Sequence, residues 1–325
     1  MSDVLSTKLK GEKENTIFDN ICSIDNDNKD GVCLPDKVIS KINNYITPSN
    51  NTNDKKETIE KLTTELSCPN DINREICIIN KATEKNIIDE KESKKIKFEH
   101  FKPNATVDAI SWLGNDDIDY IQEQLYKKYN GYYYGYIHMV DLVMIKHGET
   151  EHIKHNIINV KEIDFCNEIS NNNNNRKIST NEQPLKTFGI VCNTDPSTSG
   201  GQHWFSIFMD FRTDGSLQKP YTIEYFNSSG QSIKNSSFKK FFIDLALEIS
   251  TKMKICCKFI QVTNIQHQGL DPVIGENSGN CGGYSIYYIW SRIKGIPYSH
   301  FNQEKRIITD AMITKFRESI FRTVE

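Results

Sequence analysis

The sequence predicts an α+β fold in which a central β-sheet is flanked by helices, with a helical extension before it. Two kinds of pattern lead to this prediction. Short runs rich in aromatic and β-branched residues, which favour strands, occur at 188–192, 203–209, 221–228 and 255–262. Apolar residues at helical spacing form stripes within 118–129, 238–249, 286–293 and 312–320.

The helical N-terminal extension is predicted over residues 21–105, after a polar and disordered tail at residues 1–20. Within the extension, apolar stripes predict one helix at 34–46 and a second around 59–66. Residues 77–79 form a short buried run.

A second domain is predicted over residues 106–325, beyond a charged stretch at 84–105. Its first helix opens at the acidic pair 116–117, because acidic side chains favour the first turn of a helix. The aromatic and β-branched run 131–145 is interpreted as a strand or a loop. Residues 171–180 are predicted to be an Asn-rich surface insertion before the central sheet.

Three local details complete the description of this domain. Ser236 or Ser237 is expected to cap the helix whose apolar stripe runs from Phe238 to Ile249. The final helix, predicted over 310–321, is expected to pack Met312 against the core. Trp112 is also interpreted as a core residue.

Two stretches of the chain invite a metal-site interpretation. Residues 25–31 resemble a calcium loop, but Lys37 stands at the twelfth position, where such a loop needs a bidentate carboxylate. Cys33, Cys68 and Cys77 match no zinc-ligand spacing, so we expect core cysteines. The sequence therefore predicts no metal site, and no pattern in it indicates a cofactor.

Composition narrows the class of protein. The net charge is −3 and the basic residues do not cluster, so binding to nucleic acid is not expected. No apolar run reaches the roughly 18–20 residues of a membrane-spanning helix. The nine cysteines are an odd number without a small-domain framework, which favours reduced thiols in a cytosolic setting over disulfides.

Cys281 is the candidate nucleophile. The apolar stripe from Ile286 to Ile293 predicts a helix that ends before Gly295. Cys281 therefore lies in the first turn, where free backbone N–H groups and the helix dipole favour a thiolate. Gly282 removes a side chain where a substrate backbone could approach.

His203 and Asn227 are the candidate partners of this thiol. Residues 203–209 are apolar on both faces, which predicts a central buried strand with His203 at its entrance. An imidazole can accept a thiol proton near neutral pH. Asn227 ends the next strand, and its amide oxygen could fix the imidazole tautomer, although Asn at such a position is also a common turn former.

These residues resemble the ubiquitin-like-protein-specific protease clan. The resemblance is carried by His203-Trp204, by the strand that ends at Asn227-Ser228, and by Cys281 followed by Gly-Gly-Tyr-Ser. It is strongest to the viral branch, the virion maturation proteases of the African swine fever virus type, with the poxvirus core and adenovirus proteases as more distant kin. Further matching stretches are 187–189, 193–195, 262–265 and 298–301. The resemblance implies a mixed central sheet and covers roughly residues 106–325.

The family's pattern is not complete in this chain. Its members place a Gln a few residues before the nucleophile, where the side chain helps to hold the oxyanion. Residues 275–280 contain no Gln. Gln268 could take this role if the intervening residues bulge out, since a longer loop costs little closure entropy. Asn277 is the alternative donor.

The resemblance also implies a function. The chain would be a thiol endopeptidase that cleaves viral capsid or core polyprotein precursors at Gly-Gly-Xaa-type sites during virion maturation. Trp204 and Gly282 would line a channel for slim substrate residues. The expected locations are the virion and the viral factory in the host cytoplasm. Removal of a ubiquitin-like modifier, or an inactive scaffold role in the virion, are the alternatives.

Overall fold

The computed structural model describes residues 21–25, 31–47, 54–71, 73–142, 160–170, 177–178, 183–262 and 264–322. The predicted disordered tail at 1–20 and most of the predicted insertion at 171–180 lie outside these residues. The chain divides into two compact units, Thr106–Arg317 and a unit of Met1–Ala105 with Glu318–Glu325. The division predicted from sequence, at residues 105 and 106 with the second domain reaching residue 325, stays a prediction.

The described part of the N-terminal unit contains four helices. They are α1 (Asp36–Ile46), α2 (Lys55–Glu65), α3 (Arg74–Glu84) and α4 (Glu90–His100). The helices predicted at 34–46 and 59–66 correspond to α1 and α2, and the buried run at 77–79 belongs to α3. The sequence did not predict α4, because this charged helix buries only Ser93 and Ile96 and shows no apolar stripe.

Two disulfides stabilise this unit, and the prediction of reduced core cysteines is wrong for the four residues that form them. Cys22 is bonded to Cys33, and Cys68 is bonded to Cys77, with Cα atoms 4.9 and 5.8 Å apart. These separations lie in the usual range for disulfides. The chain turns that bring each pair together leave no recognisable spacing in the sequence. The remaining five cysteines are free thiols.

A buried carboxylate supports the segment next to the first disulfide. Glu75, in the first turn of α3, is 4 % exposed and accepts hydrogen bonds from the backbone N–H groups of Cys33 and Leu34. Burial raises the pKa of this carboxyl, while the two backbone bonds act in the opposite direction.

The second unit is built on a five-stranded sheet in the order β1-β2-β3-β4-β5. The strands are β1 (Tyr132–Met139), β2 (Thr187–Asn193), β3 (Trp204–Asp210), β4 (Tyr221–Phe226) and β5 (Cys257–Gln261). The two outer pairs are parallel and the inner pairs are antiparallel, so the expected mixed sheet is confirmed. The run interpreted as strand or loop at 131–145 contains β1.

Five helices complete the described fold. They are α5 (Asn115–Lys128), α6 (Phe165–Ile169), α7 (Ser236–Met253), α8 (Cys281–Ile293) and α9 (Asp310–Ile320). Three local expectations are corrected. The cap of α7 is Asn235, whose side chain accepts the N–H of Phe238, because the helix begins one residue earlier than predicted. Met312 and Trp112 are 42 % and 58 % exposed, so neither is a core residue.

Strand β3 lies at the centre of the sheet and is buried on both faces, as predicted. Phe205 and Ile207 belong to a cluster with Phe238 of α7. On the opposite face, Phe208 lies below the guanidinium of Arg292 from α8. The strand is therefore covered by a helix on each side, and α8 packs directly against it.

The C-terminal part of α8 is fixed by buried ion pairs. Arg292 donates through two nitrogens to Glu224 at 2.7 and 2.8 Å, and also to Asp210 at 2.9 Å. Arg212 donates to the same Asp210, and Tyr288 donates to Glu224. The buried Arg292 thus faces the carboxylates of Glu224 and Asp210, and the exposed Arg212 supplies a second positive charge to Asp210. This network sets the position of α8 on the sheet, and Cys281 is the first residue of that helix.

Candidate active site

Cys281 is enclosed by backbone N–H groups. The thiol is 3 % exposed, and it lies within hydrogen-bond reach of the N–H groups of Trp204, Gly282 and Cys281 itself. The expectation that the helix start favours a thiolate is only partly right. Burial raises the pKa of the Cys281 thiol, and this effect exceeds the opposite effects of the N–H groups and of Arg317.

His203 is brought to the thiol by the chain itself. It directly precedes Trp204, whose N–H faces the sulfur. The imidazole Nε2 lies 2.7 Å from the amide oxygen of Asn227. Burial lowers the pKa of His203, whereas the bond to Asn227 raises it. The structure therefore pairs His203 with Asn227 and places the residue after His203 beside the thiol of Cys281.

The orientation of the Asn227 amide is set by its other partners. Its Nδ2 donates to the hydroxyl of Tyr225 at 2.9 Å, and that hydroxyl donates in turn to the carbonyl of Gln231. Its Oδ1 accepts from the N–H and hydroxyl of Ser229. Because Oδ1 faces the imidazole, His203 carries its proton on Nε2. The lone pair on Nδ1 is then available for the thiol proton.

Gln268 is held at both ends of its side chain. Its Oε1 accepts the hydroxyl of Ser228 at 2.8 Å, and its Nε2 donates to the carbonyl of Ser278 at 2.7 Å. The carbonyl of Ser228 also accepts the N–H of Gln268. Ser278 is three residues before Cys281, so this amide lies beside the segment that leads into the nucleophile. Asn277, the alternative donor, is exposed in a short 3-10 turn.

Known proteases of African swine fever virus share sequence and fold with this chain. It is 37 % identical over 141 residues to a "SUMO-1 cysteine protease" of a Kenyan pig isolate of that virus. The same values hold for a "cysteine protease" of a Malawian tick isolate. The crystal structure of an African swine fever virus protease matches with a TM-score of 0.64 at 26 % identity, over 94 % of this chain and 96 % of that one. No family model matches the chain.

The chain is homologous to these viral cysteine proteases. The curated alignments cover 43 % of this chain, and the chain spans about half the length, 46 %, of the curated relatives it matches. The match to the crystal structure includes the N-terminal helical region as well as the sheet. The resemblance and the fold class predicted from the sequence are therefore confirmed.

The loop at 269–280, where the chain lacks the expected Gln, is held at both ends by the buried residue Asp310. Asp310, at the start of α9, accepts the N–H of Gly269 at 2.8 Å. It also accepts the hydroxyl of Ser278 and, at 3.3 Å, the side-chain amide of Asn280. The residues between these contacts form a bulge, so Gln268 keeps its place beside the turn before Cys281. The sequence places Ser228 in the matched motif and Asp310 at the start of the final helix, but it does not indicate their contacts with this loop, which depend on tertiary packing.

The two predicted substrate-binding residues are packed inside the homologue's fold. Trp204 is 7 % exposed, and its indole N–H donates to the carbonyl of Leu113 at 3.2 Å. A Cβ on Gly282 would lie 3.2 Å from Leu113 and 3.3 Å from Ile118, so a larger residue there would need these two side chains to shift. Trp112, the residue before Leu113, is exposed, in contrast to Trp204. Substrate contact by Trp204 and Gly282 stays a prediction.

Metal-ligating clusters and membrane-spanning helices are both absent from the described residues. No cluster of three or more His, Cys, Asp or Glu side chains there is arranged to hold a metal ion. No described helix has both the length and the apolar content needed to cross a bilayer.

Proposed function

We propose that this protein is a cysteine endopeptidase that uses Cys281, His203 and Asn227. One observation carries the proposal. The Tyr225 hydroxyl contacts Asn227, Asn227 contacts His203, and the backbone N–H of the next residue, Trp204, lies beside the thiol. This is the arrangement of nucleophile, base and orienting group that thiol hydrolysis needs. The homology to proteins named cysteine proteases supports the same conclusion.

Burial favours the uncharged form of both reacting groups. It raises the pKa of the Cys281 thiol and lowers the pKa of His203. Nδ1 of His203 takes the thiol proton as the sulfur attacks the substrate carbonyl carbon. The N–H of Cys281 and the Nε2 of Gln268 stabilise the oxyanion. His203 then gives the proton to the leaving amine, and water hydrolyses the thioester.

Substrates with glycine at the cleaved bond fit this proposal best. We propose viral capsid or core polyprotein precursors as the substrates, with cleavage in the virion or the viral factory of the host cytoplasm. A ubiquitin-like modifier is the second candidate, because the name SUMO-1 cysteine protease is carried by relatives. Both kinds of substrate can present glycine to the thiol, so the two candidates share one chemistry.

A library of peptides with varied residues around Gly-Gly-Xaa tests the proposal. Wild type is compared with Cys281→Ala, which removes only the sulfur atom. Cleavage after glycine that is lost in the variant supports the peptidase. If no peptide is cleaved, fusions of a ubiquitin-like modifier are the next substrate. If these also stay intact, the proposal is rejected and a scaffold role takes its place.

A further inference from the structure

Helix α9 places a second charged residue against the turn that precedes the nucleophile. Arg317 lies two turns after Asp310 and is fully buried, at 0 % exposure. Its Nη1 donates to the side-chain oxygen of Asn280 at 2.9 Å and to the carbonyl of Ser111 at 2.9 Å. Its Nη2 donates to the carbonyl of Thr106. The guanidinium of this fully buried residue is thus hydrogen-bonded to Asn280, the residue immediately before Cys281.

The hydrogen-bond partners of Arg317 are all neutral. They are two carbonyl groups and one amide, and among the ion pairs of the described residues none includes Arg317. Its Nε is buried without a hydrogen-bond partner. Burying a cation that has no directly bonded anion costs free energy of folding. Its positive charge then acts electrostatically on neighbouring groups. The field is strongest for groups that are buried with it, since solvent screens the others.

A glycine lets this charge approach the nucleophile's helix. A Cβ on Gly283 would lie 2.7 Å from Cγ2 of Ile313, and 3.2 and 3.3 Å from the Cδ and Cγ of Arg317. Glycine at this position therefore lets both side chains of α9, including the arginine stem, pack against the first turn of α8. This first turn already presents its free N–H groups to the sulfur of Cys281.

We propose that Arg317 is a positioning residue that supplies positive charge to the first turn of α8 and so stabilises the Cys281 thiolate during attack. The proposal rests on the peptidase function above. It assigns Arg317 no contact with substrate. Its chemical role is to lower the free energy of the sulfur anion that forms when His203 takes the proton.

The charged and titratable groups around this site come from three segments. His203 precedes β3, and Asp310 and Arg317 belong to α9. Asp108 and Asp117 lie on the segment from 106 to the start of α5 and interact with Arg317 at longer range. Asp108 is exposed, so solvent weakens its field, while the interaction of Arg317 with Cys281 is between two buried groups.

The test is the pH dependence of Cys281 alkylation by iodoacetamide, followed by mass spectrometry of the peptide that contains Cys281. This readout needs no substrate. The variants are Arg317→Gln, which keeps an amide donor and removes the charge, and Arg317→Lys, which keeps the charge. Arg322→Met, in the N-terminal unit, is the control for loss of a half-buried arginine that bonds a carbonyl.

We expect Arg317→Gln to raise the apparent thiol pKa by about one unit, so that alkylation at neutral pH slows about tenfold. Arg317→Lys should restore most of the rate, and Arg322→Met should match wild type. A folded Arg317→Gln protein with the wild-type profile would overturn the proposal. If Arg317→Gln does not fold, Asn280→Asp replaces it, because a carboxylate there pairs with Arg317 and should also raise the thiol pKa; an unchanged profile in that variant overturns the proposal.

Failure of this proposal can be told apart from failure of the proposed function. Peptide cleavage by the wild type is measured in parallel with alkylation. An active wild type with alkylation that does not depend on Arg317 rejects the role of Arg317 alone. An inactive wild type rejects the peptidase, whatever the alkylation profile shows.

Discussion

A buried arginine lies at each end of α8, and the two arginines differ in their hydrogen-bond partners. At the C-terminal end, Arg292 is paired with Glu224 and Asp210 in a network that balances its charge. At the N-terminal end, Arg317 bonds only neutral groups beside Cys281. The balanced end fixes the helix on the sheet. At the N-terminal end, the positive charge of Arg317 lies near the sulfur that becomes an anion during the reaction.

This comparison predicts that changes at the two ends will separate stability from rate. At the paired end, losing one partner leaves a buried charge without compensation and weakens the fold. At the nucleophile end, side chains act on the reacting groups, so their loss slows the reaction while the fold persists. Each of the following predictions tests this separation, from the largest expected effect to the smallest.

Arg292→Leu should lower the free energy of unfolding by about 3–5 kcal/mol, because Glu224 would stay buried without its partner. The measurement is urea denaturation with the extrapolated free energy and the m-value. Lys252→Ala, which removes an exposed ion pair with Glu248, is the matched control and should leave the midpoint unchanged. A wild-type midpoint for Arg292→Leu would show that the network does not hold α8 in place.

Gln268→Ala should reduce kcat/KM about 100–1000-fold, because it removes a donor to the oxyanion. The thermal midpoint should change little, since the side chain is only half-buried. Asn277→Ala is the control and should keep full activity. The reverse result, with loss of activity in Asn277→Ala alone, would move the donor role to Asn277.

The acid limb of the pH–rate profile should lie below pH 6.5, the ordinary pKa of histidine, because burial lowers the pKa of His203. The base must be unprotonated to act, so a lowered pKa extends activity to lower pH. Asn227→Ala should slow the reaction and shift this limb further down, since the bond to Asn227 raises the pKa. A shift to higher pH in that variant would contradict the assigned contact.

Tyr225→Phe should slow cleavage about 3–10-fold, the effect of one hydrogen bond of about 0.5–1.5 kcal/mol. The hydroxyl accepts the Nδ2 of Asn227, so its loss frees the amide to rotate away from His203. Steady-state kinetics should show the change in kcat with KM nearly constant. An equal loss in a Ser229→Ala variant would show that the Oδ1 contacts contribute as much to this orientation.

The parts of the site predicted from sequence are those with a local signature. Strand β3 is apolar on both faces, α8 begins at Cys281 and ends before Gly295, and β4 ends before Asn227. Periodicity and turn residues mark each of these positions along the chain. They locate the thiol, the imidazole and the amide without knowledge of the tertiary structure.

The rest depends on contacts between distant residues. Arg317 and Asp310, on helix α9, form hydrogen bonds with the turn at 278–280. No sequence pattern in either segment predicts these bonds. The disulfides of the N-terminal unit likewise depend on turns that composition does not reveal. From the sequence alone, a charged residue is expected at the surface and a cysteine in the core. Which residue each of them contacts is decided by tertiary packing.

The most direct test of the account is to trap the acyl-enzyme. The protein is mixed with a peptide that contains Gly-Gly-Xaa, the reaction is stopped with acid, and the modified peptide is located by mass spectrometry. The account predicts a thioester on Cys281 that is absent from Cys281→Ala and strongly reduced in His203→Ala. Cleavage that continues in Cys281→Ala, or a thioester on another free cysteine, would contradict it.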